Sequence, residues 1–219
     1  TSSKYSLQGY RNLYSDPFLY KTLANTLGYV AISTVTALFF AIPIALLVER
    51  TTLPGRNLVF PAMVLALLVP GFFSAAAWKL LLHPRIGIVN DWLVDWSVFD
   101  TAPINIISIP GMGLLSGLGL APLAFIMLAG TFRSMDALLE ECAQVHGLGL
   151  IERLRTIVIP MAWPGMLTAG IFVTMMGLAA REVPTVIGLA GRIFVFSTVV
   201  ATQGGGAAGA SSALMIVVA

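Results

Sequence analysis

The chain has 219 residues, 58% of them hydrophobic and 10% charged, with a formal net charge of +2. Soluble domains carry charge on about a quarter of their residues, so this composition excludes an ordinary soluble fold and describes an all-α, polytopic transmembrane helical bundle in contact with lipid. The near balance of charge, without a cluster of Lys and Arg, excludes nucleic acid as a partner, and the single cysteine, Cys142, excludes an internal disulfide and any multi-cysteine metal site.

Residues 1–21 are polar and aromatic and lack the layout of a signal peptide. Tyr5, Tyr10, Tyr14, Phe18 and Tyr20 give them the character of an N-terminal interfacial segment; a plain connection from an earlier span reads equally well. From there the charges mark out the spans. The uncharged intervals Lys21 to Glu49, Arg56 to Lys79, Asp100 to Arg133 and Arg155 to Arg181 each exceed the roughly 20 apolar residues that a helix needs to cross a bilayer.

The first span is predicted over residues 22–48, with a kink at Pro43. Asn25, near its start, is either a packing residue or a contact on a translocation path. Pro54-Gly55 then signals a turn. A second span over residues 57–82 is broken at Pro70-Gly71, and unwound backbone at mid-depth is tolerated only when buried in protein or lining a cavity. Pro70 and Gly71 are therefore path candidates, with a kink satisfied by a neighbouring helix as the simpler reading. Residues 83–108 carry Asp91, Trp92, Asp95, Trp96 and Asp100, a partner surface or an amphipathic helix on the membrane.

The third span, residues 111–131, sets Gly113 and Gly117 at the spacing that lets helices approach closely. A fourth, residues 163–180, ends at Arg181-Glu182. These two are further path candidates, or else a snorkelling arginine beside a water-facing glutamate. Beyond Arg192 no charge appears, but Gly204-Gly205-Gly206 interrupts the run, and residues 207–219 are too short to cross alone. The expectation is a bundle truncated near its last core helix.

Between the third and fourth spans lies the longest charged island: Arg133, Asp136, Glu140, Glu141, Glu152, Arg153 and Arg155. Ser134 is the expected N-cap of a helix reaching His146, with acids biased to its start. Gly147 ends it in a left-handed turn. A short amphipathic segment follows, with Leu150, Ile151, Leu154, Ile157 and Val158 on one side and Glu152, Arg153 and Arg155 on the other. Pro160 marks the boundary to the next apolar run. The result is an elbow, residues 134–157, whose small residues Cys142 and Ala143 let another surface approach the backbone.

Glu141-Cys142-Ala143, three residues, Gly147, nine residues, then Ile157 to Ile159-Pro160 resembles the cytoplasmic EAA loop of permease subunits of binding-protein-dependent ATP-binding-cassette (ABC) importers. Cys142 replaces the usual first Ala and Ile159 the usual Leu. The phrases Pro103-Ile104-Asn105 to Pro110-Gly111, Ala121-Pro122-Leu123-Ala124 and Val183-Pro184 with Gly188-Leu189 resemble the iron(III) branch of these permeases. The resemblance implies a type I permease domain over residues 22–219, multi-pass in a bacterial inner membrane, that forms the solute path. It also implies ATPase subunits that grip the elbow through Glu141, Cys142, Ala143, Gly147, Ile157 and Pro160. A second permease half or copy and a periplasmic solute-binding protein complete the implied assembly. ATP would sit on the partner ATPase, with no cofactor on this chain, and the solute would be iron(III) or another small species. Counts of Lys and Arg do not orient the chain; the positive-inside rule favours a cytoplasmic elbow only by density, and the resemblance decides it.

No phosphate-binding Gly-x-x-x-x-Gly-Lys loop, His-Glu-x-x-His or Gly-x-Ser-x-Gly occurs, and His83, His146 and Cys142 lack metal-ligand spacing. Catalysis by this chain, metal binding included, is not expected. A membrane-embedded enzyme or scaffold with a charged cytoplasmic loop is the competing reading. An ion-driven transporter is disfavoured because no ionisable residue lies within the four intervals.

Overall fold

The computed structural model describes residues 17–52, 54–84, 86–96, 105–136 and 138–203, and every regular element among them is helical. In chain order these are α1 (Pro17–Arg50), α2 (Arg56–Leu68), α3 (Gly71–Leu81), α4 (Ile88–Asp95), α5 (Ile109–Ser134), α6 (Leu138–Val145), α7 (Leu150–Arg153), a π turn (Leu154–Val158), α8 (Ile159–Ala179), a second π turn (Pro184–Gly188) and α9 (Phe196–Gln203). Three helical stretches, α1, α5 and Ile151–Ala179, are long and apolar enough to cross a membrane; α2 and α3 qualify only as a broken pair.

Among the described residues helix α1 runs from Pro17 to Arg50. Residues 17–21, which the sequence assigns to an interfacial segment, are thus helical. Residues 1–16 lie outside the described residues, as do Asp100 and the terminal stretch 204–219. At 1.5 Å per residue α1 is about 51 Å long, well beyond a hydrocarbon core of about 30 Å. Gly55, at φ 83°, makes the turn into α2. Val69 is extended, as a residue before proline prefers, and this ends α2 before Pro70.

Pro160 does not act as the boundary that the sequence predicts. The helical stretch Ile151–Ala179 runs through it. The reason lies one turn upstream, where the N–H of Ile159 bonds to the carbonyl of Leu154, five residues back. This widened turn precedes Pro160, which sits in the first turn of α8 and need not donate there.

The chain divides into two compact units. The first contains Thr1–Ile32, Gly71–Ser116 and Leu178–Ala219. Its core is Tyr29, Val30, Ile106, Met112, Leu115, Ile187 and Val195, and the buried Tyr29 hydroxyl donates to Ser116 Oγ at 2.8 Å. Thr26 Oγ1 accepts from the N–H of Phe196 at 2.8 Å and so holds the start of α9.

The second unit contains Ser33–Pro70 and Gly117–Gly177. Ala37, Ala41 and Ala45 form a ridge of small residues along α1, packed with Phe125, Leu128 and Phe132 of α5 and with Ala162, Ala169 and Val173 of α8. Gly117 allows a close approach of α1 and α5: a Cβ added there would lie 2.5 Å from Thr36 Cβ and 2.6 Å from the Ser33 carbonyl oxygen. Thr34 and Thr174 share a hydrogen bond of 3.1 Å. Of the three long helices α5 is the most buried, at 61% of its apolar window, while Ile151–Ala179 is only 22% buried and leaves Leu167, Ile171 and Met175 exposed.

Candidate functional site

The elbow belongs to the second unit. Its first helix is α6, and Ser134 does not cap it. Ser134 is the last residue of α5, and its hydroxyl donates back to the Thr131 carbonyl at 2.9 Å. The cap is Asp136, whose Oδ1 accepts from the N–H of Leu138 at 3.0 Å. Helix α5 extends one residue past Arg133, so the polar oxygen two residues beyond its end takes the role.

At the other end Gly147 takes φ 82°, and the N–H of Leu148 reaches the Ala143 carbonyl at 3.1 Å. This is the bond of a glycine-terminated helix end. A Cβ at Gly147 would meet nothing within 4 Å, so backbone conformation and not space selects glycine here. His146 Nδ1 lies 2.8 Å from the Cys142 carbonyl. A carbonyl only accepts, so this ring nitrogen carries the proton and helps to close the helix.

Of the six residues assigned to the coupling pattern, Cys142, Gly147 and Pro160 are exposed, Ile157 is half-buried and Ala143 is buried. Ala143 therefore packs inward and is no part of the outer face. Glu141 is placed by its backbone within α6; its side chain lies outside the described structure. Among the described side chains, Leu138, Leu139, Cys142 and Val145 on α6 and then Ile151 form an exposed apolar patch, with Val145 86% and Ile151 81% exposed, beside the exposed His146, Glu152 and Arg155. Gly149, Ile151, Glu152 and Arg155 line a shallow depression beside it. The sequence sets Ile151 with the apolar side and Arg153 with the polar one, yet Ile151 is exposed and Arg153 half-buried. One α turn followed by a π turn shifts the register that a continuous 3.6-residue period assumes.

The foot of the elbow carries residues that the sequence reading passed over. Arg50, at the end of α1, donates through Nη2 to the carbonyls of Phe132 and Met135, the latter at 3.0 Å. Next to it Arg133 makes a two-pronged contact with Glu49 at 2.6 and 3.2 Å and lies 6.0 Å from the Phe60 ring centroid. The available signal was the coincidence of charges at the ends of two long apolar intervals, Glu49-Arg50 and Arg133.

The path candidates, except Pro70, lie in the first unit. Asn25 Nδ2 donates to the Phe194 carbonyl at 3.1 Å, so its amide packs α1 against the segment before α9. Gly71 and Glu182 come together: a Cβ on Gly71 would lie 3.3 Å from Glu182 Cγ. Arg181, Glu182 and Pro70 are exposed. Lys79, which the sequence left as a span end, donates to the Val186 carbonyl at 2.9 Å, within the second π turn. Among the described residues no group of three or more His, Cys, Asp or Glu could hold a metal.

No protein-family model matches the chain. Similarity to curated proteins is nevertheless clear. The chain is 26% identical over 171 residues to the trehalose transport system permease protein SugB of Mycobacterium tuberculosis, covering 78% of this chain and 56% of that protein. It is 23% identical over 185 residues to the spermidine/putrescine transport system permease protein PotB of Haemophilus influenzae, covering 84% and 63%. The chain thus spans less than two thirds of these relatives' length.

Among solved structures it is similar to a chain of a bacterial ABC transporter involved in the import of the acidic polysaccharide alginate, with TM-score 0.75 and 18% identity over 99% of this chain and 79% of that one. A structure of the alginate transporter with its alginate pentasaccharide-bound periplasmic protein gives TM-score 0.71 and 19% identity, over 96% and 76%.

The names are of sugar and polyamine systems and lend no support to the iron(III) branch to which the sequence pointed. The phrases behind that expectation serve the fold: Asn105 Oδ1 accepts from the N–H of Ile107, Ala121 and Ala124 are buried in packing, and Pro184 and Gly188 bound a buried π turn. Pro103 and Ile104 lie outside the described residues. Its apolar helices, these relatives and the structural match give the chain the permease fold of ABC importers, in a multi-pass protein of the inner membrane.

Proposed function

We propose that the chain is the membrane-spanning permease subunit of a binding-protein-dependent ABC importer and is not itself an enzyme. It forms part of the solute path and takes its driving force from a separate ATPase subunit, where ATP is bound. A second permease subunit and a periplasmic solute-binding protein complete the assembly. The solute is a sugar or a polyamine, in keeping with the relatives' names, and not iron(III).

The observation that carries this reading is the elbow. Its exposed apolar patch, which includes Val145 and Ile151, rimmed by the exposed Glu152 and Arg155, is the kind of surface that a partner protein covers. Through α5 on one side and the helical stretch Ile151–Ala179 on the other, a displacement of the elbow acts on two membrane spans at once. Such transmission requires contacts that differ between the two states of the ATPase. The side chains of Cys142, Val145 and Ile151 are placed to make them.

Replacement of Gly147 by valine tests the reading. Because a Cβ there meets open space, the cost comes only from the left-handed backbone, about 1–2 kcal/mol for a residue with a Cβ, and falls on the elbow. Membrane insertion should persist while ATP-driven uptake is lost. Uptake equal to that of the unaltered chain would contradict the lever. An ATPase subunit should co-purify with the intact chain and be lost on excision of residues 136–155; retention after excision would contradict the elbow as the contact, and no ATPase with the intact chain would favour the enzyme or scaffold reading.

A further inference from the structure

We propose that Arg50 is a positioning residue of the elbow: its guanidinium fixes the direction in which the chain leaves α5 and so holds α6 at a set angle to the membrane spans. This rests on the reading of the elbow as the ATPase contact, which it deepens by naming what holds that contact in place.

Three observations support it. The last carbonyls of a helix have no partner within the helix, and Arg50 Nη2 donates to two near the end of α5: that of Phe132, which also accepts from the N–H of Met135 at 3.4 Å, and that of Met135. These carbonyls straddle the exit from the helix: Phe132 is fully buried in the core of the unit, whereas Met135 follows the last helical residue and precedes the capping residue Asp136. One cation thus clamps a fixed point to the first residue of the elbow. Hydrogen bonds from a charged donor are stronger than neutral ones, and a planar guanidinium can hold two acceptors in fixed geometry.

The neighbouring ion pair is differently placed. The Arg133 side chain is 67% exposed and Glu49 only 11%, and Arg133 belongs to α5 itself. It ties α1 to α5 without touching any residue of the elbow. Arg50 sets the elbow's direction, whereas Glu49 and Arg133 only join two helices. What the pair contributes falls on the join of α1 and α5 and not on the elbow.

The native chain carries its own reporter, since Cys142 on α6 is the single cysteine and is exposed. A nitroxide attached there, in the chain reconstituted in liposomes without ATPase, reads elbow mobility by electron paramagnetic resonance. Arg50→Met keeps the apolar stem and removes the donors; the mobile population should rise about tenfold, as loss of charge-assisted hydrogen bonds of ordinary strength implies. Arg50→Lys, with a point charge that does not reproduce the planar fork, should fall between the two. Arg133→Ala should stay within about twofold of the unaltered chain.

An unchanged spectrum for Arg50→Met, or an equal rise for Arg133→Ala, would overturn the assignment. Should Arg50→Met fail to fold, Arg50→Lys decides, because a spectrum identical to the unaltered chain would likewise overturn it. As no ATPase is present, the outcome is independent of whether the elbow couples to one.

Discussion

Replacement of Gly117 by alanine probes the close approach of α1 and α5 in the second unit. The new Cβ would stand 2.5 Å from Thr36 Cβ and 2.6 Å from the Ser33 carbonyl oxygen, where carbon atoms normally rest at about 3.5–4.0 Å. Neither neighbour can swing aside: one is backbone and the other is bonded directly to it. The helices must separate locally by about 1 Å, at a cost of about 2–3 kcal/mol for overpacking. Alanine returns about 1 kcal/mol of helix propensity over glycine, so the net loss is about 1–2 kcal/mol.

Gly119, on the same helix, has nothing within 4 Å of its would-be Cβ, and Gly119→Ala should gain up to about 1 kcal/mol. The two variants therefore differ by about 2–3 kcal/mol, or about 4–12 °C in midpoint for a chain of this size. Thermal unfolding in detergent, followed by the fluorescence of the four tryptophans, measures the contrast. Equal midpoints would refute the close approach of α1 and α5.

Asn90 is 1% exposed and donates to the carbonyls of Leu82 and His83 at 3.3 and 3.2 Å; Asn90→Ala should cost about 1–3 kcal/mol and speed limited proteolysis between residues 82 and 96. Asn25→Ala removes the bond to the Phe194 carbonyl and should lower stability by about 1 kcal/mol. Uptake that falls with no change in the unfolding midpoint would instead return Asn25 to the solute path.

Much of the architecture was legible because charge is costly in lipid. Intervals free of charge locate α1, α5 and α8, and the Pro70-Gly71 break falls where the sequence puts it. Gly147 and the pair Gly113 and Gly117 were readable for the same reason, since a left-handed turn or a tight crossing excludes other residues. The misses have a common cause as well. Pro160 and Ile151 were misplaced because a π turn leaves no mark in a 3.6-residue pattern. Ser134 and Asp136 are both good caps, and only the length of α5 chooses between them. The roles of Arg50, Lys79 and Asn90 depend on carbonyls far along the chain or freed by irregular turns, which no local pattern announces. The solute branch found no support among the relatives, and its phrases mark packing positions, where residues report on neighbouring helices and not on cargo.

The central claim, that an ATPase subunit covers the elbow, is tested most directly at Cys142, the one thiol of the chain, which is exposed on α6. Its rate of reaction with a membrane-impermeant maleimide is measured in inside-out vesicles holding this chain, with and without the co-expressed ATPase subunit. The account predicts rapid labelling of the chain alone and strong protection when the ATPase is present. Equal labelling in both would contradict it.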